Sequence, residues 1–142
     1  MTVIFSKKCE YGLQAVLYLA ANERGIESAD DIAKNLNIPK EFVSKILQSL
    51  TVSGIVISKK GKAGGFALAQ DPKKIKLIDI VAAIDGLTMF NNCVLGFPNC
   101  NPTKPCPLHD KWGVLRTQTY NMLNEDTIDT FKEKTLRKVA AI

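Results

Sequence analysis

The sequence predicts a mainly α-helical fold with one small β-hairpin: a winged helix-turn-helix domain followed by a long dimerisation helix. Three observations carry this. Apolar residues recur at steps of three and four through most of the chain, the period of a helix with one buried face. One β-branched run, Ile55-Val56-Ile57, is followed by a glycine-rich turn and a second short apolar run, the pattern of a hairpin. A further helical periodicity starts at Leu108, after a loop holding Pro98, Pro102, Pro105 and Pro107, four of the six prolines. The expected divisions are a winged helix-turn-helix domain over 1–86, a cysteine-rich loop over 87–107, and a dimerisation helix with a C-terminal helix over 108–142.

The first helix is expected over 7–21, where Cys9, Leu13, Val16, Leu17 and Ala20 form one apolar face. Cys9 on that face reads as a small buried hydrophobe. Glu10, off that face, reads on spacing alone as an ordinary exposed carboxylate. Ser28-Ala29-Asp30-Asp31 resembles a capping box and opens a short helix with Ile32, Ala33 and Leu36 inward. Asn37-Ile38 turns the chain, and Pro39 opens the next helix, where its missing N–H costs nothing. That helix, over 39–53, has Phe42, Val43, Ile46, Leu47 and Leu50 inward, and Gly54 caps it. Two short helices joined by a tight turn make a helix-turn-helix. Strands over 55–59 and 66–69, joined by Lys60-Gly61-Lys62-Ala63-Gly64-Gly65, make the wing.

A helix over 76–85 follows, with Leu77, Ile80, Val81 and Ile84 inward and Gly86 stopping it. Beyond the loop, Leu108, Trp112, Leu115, Thr119 and Met122 alternate by four and three, a seam two heptads long. Such a seam suits contact between two copies, so a homodimer is expected. The tail over 127–142, with Ile128, Phe131, Leu136 and Val139, reads as one last amphipathic helix.

The 142 residues are 46% hydrophobic and 23% charged, a globular make-up. No apolar run approaches the ~18 residues of a membrane span. No signal-peptide core precedes the first helix, so the chain is expected in the cytoplasm, where thiols stay reduced. The net charge of +5 falls entirely in residues 1–76, which hold 12 Lys/Arg against 7 Asp/Glu; residues 77–142 hold 7 of each. A basic first half is expected of a chain that meets phosphate, and double-stranded DNA is the expected partner.

On the helix after Pro39, the face opposite the core carries Glu41, Ser44, Lys45 and Gln48. These types can read base edges: Gln with adenine, Lys with guanine, Glu with cytosine, Ser with several. Lys40 stands where it can meet a phosphate. Lys59, Lys60 and Lys62 make the wing basic and suit it to the DNA backbone. The phosphate-loop pattern of nucleotide-binding proteins is absent from the wing, and no C-x-x-C pair, second histidine or catalytic constellation suggests an enzyme.

The loop carries Cys93, Cys100 and Cys106, and the only histidine follows as His109. Its prolines exclude a helix or a central strand and hold an irregular path. Three thiols and an imidazole aimed at one point make a soft-metal site, for an iron–sulfur cluster or for zinc. The spacings lack the close cysteine pair common in structural zinc sites.

Three segments together resemble one known family. Lys60-Gly61-Lys62-Ala63-Gly64-Gly65-Phe66-Ala67-Leu68-Ala69 resembles the glycine-rich wing of the Rrf2 family of bacterial winged-helix regulators. Residues 78–86, Ile-Asp-Ile-Val-Ala-Ala-Ile-Asp-Gly, resemble the helix that follows it there. Cys93, Cys100, Cys106-Pro107-Leu108-His109 and Trp112 resemble the cluster loop of the family's iron–sulfur-sensing (IscR/NsrR-type) branch. The resemblance implies a homodimeric DNA-binding regulator whose three cysteines hold a cluster. His109 matches the fourth ligand of IscR-like members, which favours a 2Fe–2S cluster over 4Fe–4S. Glu10 of the partner subunit falls near the carboxylate ligand of NsrR-like members and is the alternative. Six residues separate Cys93 from Cys100, one more than in the IscR-like pattern. Zinc remains the alternative metal, and a cluster-free regulator using thiol oxidation or a partner protein remains the alternative mechanism.

Overall fold

The computed structural model describes residues 4–22, 24–99 and 101–142. Helix α1 (Lys7–Ala21) starts at Ser6, whose hydroxyl accepts from the Cys9 N–H. Helix α2 (Ala29–Leu36) starts at Ser28, which accepts from the Asp31 N–H, and ends at Asn37 in the left-handed conformation, φ 55°. Asn is one of the few residues besides Gly that adopts this conformation at low cost, which makes the tight turn. Helix α3 (Lys40–Val52) follows, with Pro39 at its N-cap and Gly54 at φ 81° just beyond its end. Val43, Ile46, Leu47 and Leu50 are buried from α3, as the periodicity predicts.

Strands β1 (Val56–Lys59) and β2 (Gly65–Leu68) pair antiparallel, with Val56 opposite Leu68 and Lys59 opposite Gly65. The segment before α2 joins them: Glu27 and Phe66 exchange backbone hydrogen bonds of 3.0 and 2.7 Å. Gly65 lies at this crossing with φ 152°, and a methyl group there would stand 2.5 Å from the Glu27 carbonyl oxygen. The wing is thereby anchored to the helix-turn-helix.

Helix α4 (Leu77–Ile84) starts where the Lys76 N–H donates to Asp79 at 2.9 Å. Helix α5 (His109–Glu125) is 17 residues long, about 25 Å. Its C-terminal end is anchored in a small apolar cluster of Cys9, Ile78, Val81 and Leu123, which joins α1, α4 and α5. The main core is built by α1, α2, α3 and β1 with Ile75, Ile80 and Ile128.

Two expectations are corrected. The tail is not one helix: a 3-10 turn (Ile128–Phe131) precedes helix α6 (Lys132–Ala140), and α6 lies against α1. The cause is long-range, since the Ile128 N–H donates to the Ile75 carbonyl at 2.8 Å and Thr127 bridges to Lys76. Phe42 is not inward either. It is 43% exposed, because it sits on the first turn of α3, where α1 covers only its edge through Tyr11. Among the described residues, no helix is long and apolar enough to cross a membrane.

Candidate functional site

Two sites follow from this frame. The first is the outer surface of α3 with the wing. Lys40, Glu41, Lys45 and Gln48 are exposed and Ser44 half-buried, so the residues expected to face outward share one surface. Lys40 is held by Asp30 of α2 at 2.7 Å, an exposed pair that competes with the expected phosphate contact. Lys59, Lys60 and Lys62 are all exposed on the hairpin. Lys8, from the first turn of α1, lines a groove together with Lys45, Gln48 and Ser49. Helical periodicity gave no reason to include Lys8, because it comes from a different element.

The second site is the loop. Cys93 and Cys106 bring their sulfurs to 3.4 Å, and with His109 they line one cleft of about 380 Å³. Cys100 lies outside the described residues. A sulfur separation of 3.4 Å is far beyond a disulfide bond of about 2.05 Å. Two thiolates on one tetrahedral metal, each at about 2.3 Å, would stand roughly 3.8 Å apart. The pair is therefore near the spacing of two thiolates on one metal, while among the described residues no group of three or more ligating side chains stands close enough to hold an ion.

Burial raises the Cys93 thiol pKa, but this is outweighed by the Cys106 thiol and the backbone N–H groups of Leu95, Phe97 and Gly96. The net effect is a pKa below the ordinary value. These groups favour the thiolate, the form that binds metal. The loop is shaped by local bonds: Gly96 N–H donates to the Cys93 carbonyl at 3.0 Å, and the Asn101 side chain accepts from the N–H groups of Thr103 and Lys104.

The loop is also tied to α5. The Cys106 carbonyl accepts from the N–H of His109, the first residue of α5, at 3.0 Å. The Trp112 indole N–H donates to the Asn92 carbonyl at 3.0 Å. The long helix thus begins at the candidate ligand set. Glu10 lies on the first turn of α1 and pairs with Lys7 at 3.3 Å. Cys9 is fully buried, and its thiol is pushed up to about 12, first by burial and then by the Asp85 carboxylate. It is a core residue, as expected.

The family model for Rrf2, described as an iron-dependent transcriptional regulator, matches residues 5–134. The chain belongs to the Rrf2 family. A protein of Aquifex aeolicus named as an HTH-type transcriptional regulator is 35% identical over 128 residues, 89% of each chain. A Mycobacterium tuberculosis protein named in the same way is 34% identical over 126 residues, 87% of this chain and 77% of its own. Among solved structures, T. potens IscR matches with TM-score 0.72 and 25% identity over 94% of this chain and 88% of its own. CymR of B. subtilis, described as the global cysteine regulator, matches in fold with TM-score 0.77 and 24% identity over 94% and 98%. This Rrf2 protein is accordingly a DNA-binding transcriptional regulator rather than an enzyme, and its helices and hairpin are the winged-helix arrangement of the family.

Proposed function

We propose that this regulator is a cytoplasmic homodimer whose affinity for a DNA operator is set by an iron–sulfur cluster held at Cys93, Cys100, Cys106 and His109. The supporting observation is the approach of the Cys93 and Cys106 sulfurs to 3.4 Å in a cleft that His109, the first residue of α5, also lines. A bound cluster would supply a link that responds to iron, oxidants or nitric oxide. Cys93 lies on the loop that Trp112 ties to α5, and His109 is the first residue of α5. Closing the loop onto a ligand fixes the path between the DNA-reading module and the dimerisation helix; opening it releases that path. The shift in DNA affinity can be no larger than the difference in ligand affinity between the two arrangements.

In the dimer, each copy places α3 in a major groove, with half-sites about 34 Å apart. Glu41, Ser44, Lys45 and Gln48 meet base edges, and Lys59, Lys60 and Lys62 meet the backbone. The contact between copies runs along α5, where Leu108, Leu115 and Met122 recur every seventh residue and are exposed. Trp112 and Thr119 of the same seam are half-buried.

The test is protein purified without oxygen, with its visible spectrum and its iron, acid-labile sulfide and zinc counted per chain. About two iron and two sulfide support the reading with His109 as last ligand; about four of each shift that role to Glu10 of the partner subunit. One zinc in colourless protein would overturn the sensor. A Cys100→Ser variant is expected to lose the cluster and to bind the operator with altered affinity or sequence preference. Unchanged binding would show that the loop is not the switch.

A further inference from the structure

We propose that Phe42 is a specificity-determining residue that reads the C5-methyl group of a thymine in the major groove. The proposal rests on the reading that α3 enters that groove. The buried positions of α3 are Val43, Ile46, Leu47 and Leu50. At about 100° per residue, position 42 falls about a quarter-turn off their centre, one residue from Glu41 and one helical turn before Lys45. It therefore borders the face assigned to base reading, at the N-terminal end of α3. That end of a recognition helix is the one that meets base edges.

Phe42 is held in place. Tyr11 meets its ring edge-on, with centroids 5.5 Å apart and planes at 72°. The Lys7 ammonium lies 5.3 Å from the Tyr11 centroid and also pairs with Glu10. Phe42 is thus a fixed apolar group with 43% of its surface open.

The chemistry around it selects the occupant. Glu41, Ser44, Lys45 and Gln48 offer hydrogen bonds and charge, and none of these recognises an apolar group. Thymine alone among the DNA bases presents a methyl group in the major groove, and Phe is a side chain suited to touch it. The neighbouring surface is cationic: Lys8 of α1 shares a groove with Lys45 and Gln48 of α3. Lysines on this flank favour a polyanion over a second copy of the same basic surface.

The experiment uses the full-length protein and a duplex selected from a random-sequence pool. Each thymine is replaced in turn by uracil, symmetrically in both half-sites, which deletes only the methyl group. The wild type is expected to lose about fourfold in affinity per half-site at one thymine, the worth of one buried methyl. Phe42→Ala is expected to bind the thymine and uracil duplexes equally at that step while keeping the wild-type salt dependence. Retention of the wild-type uracil profile in Phe42→Ala overturns the proposal. Should that variant not fold, Phe42→Leu carries the test: its shorter reach must lower the uracil penalty, and an unchanged penalty overturns the proposal equally. Lys45→Ala and Gln48→Ala separate the two readings. If both keep the wild-type base preferences, the placement of α3 itself has failed; if they lose them while the uracil profile ignores Phe42, only the role of Phe42 has failed.

Discussion

The double variant Leu115→Ala/Met122→Ala is expected to dissociate the proposed dimer without unfolding the protomer. Leu115 is 55% exposed and Met122 53% exposed on α5. Burying a whole Leu or Met side chain contributes roughly 1.5–3 kcal/mol, so the half still open represents about 1 kcal/mol for each. Twofold symmetry counts every substitution twice. Each single variant then weakens association by about 2 kcal/mol and the double variant by about 4 kcal/mol. These correspond to rises of roughly 30-fold and several hundred-fold in the dimer dissociation constant. Alanine has the highest helix propensity, so α5 itself persists. Leu123→Ala is the internal contrast: only 2% exposed, Leu123 packs with Cys9, Ile78 and Val81. Its loss is expected to cost about 2–5 kcal/mol of fold stability, with much less effect on association. Sedimentation equilibrium over a concentration series, beside urea melts, reads both quantities. A double variant that dissociates at the wild-type concentration would refute the assignment of the dimer contact to α5.

Other perturbations test other parts of the chain. Replacing Lys60 or Lys62 with Ala is expected to weaken binding to all DNA sequences and to reduce the slope of log affinity against log salt by roughly one for each lysine withdrawn from a phosphate. Titrations at several salt concentrations check this, and unchanged slopes in both variants would detach the wing from phosphate. Gly65→Ala puts a methyl group 2.5 Å from the Glu27 carbonyl at φ 152° and should cost about 1–3 kcal/mol, read as a Tm lower by several degrees. Cys9 has a native pKa of about 12 against an ordinary value of 9.0. The native state therefore keeps its proton where the unfolded chain loses it, and the Cys9 contribution is full below pH 9 and falls as pH rises from 9 toward 12. Urea midpoints across that range should fall more steeply for the wild type than for Cys9→Ala.

The helix-turn-helix was legible because its signals are local. Ser28, Asn37, Pro39 and Gly54 mark the ends of α2 and α3, and each does so through its own backbone or side chain. What the spacing missed depends on distant partners. Phe42 continues the apolar period of α3, yet how far it is covered depends on how α1 packs across it through Tyr11. The tail gave up its expected single helix to a bond between Ile128 and Ile75, residues far apart in the chain. The seam of α5 has the right period, but period alone does not say that Trp112 turns to Asn92 of its own chain while Leu115 stays open. In the candidate site, Cys93, Cys106 and His109 line one cleft, and only the two sulfurs stand within 3.4 Å of each other. The choice between His109 and Glu10 depends on a second copy, which no spacing within one chain encodes.

The bond from Trp112 to Asn92 has an optical consequence. Trp112 is the only tryptophan in the chain, and its indole N–H is fastened to the segment that leads into Cys93. Indole emission shifts when that N–H exchanges a carbonyl for water. The protein therefore carries its own fluorescent gauge of the contact between α5 and the loop, which can be read at micromolar concentration without a label and before any DNA is added.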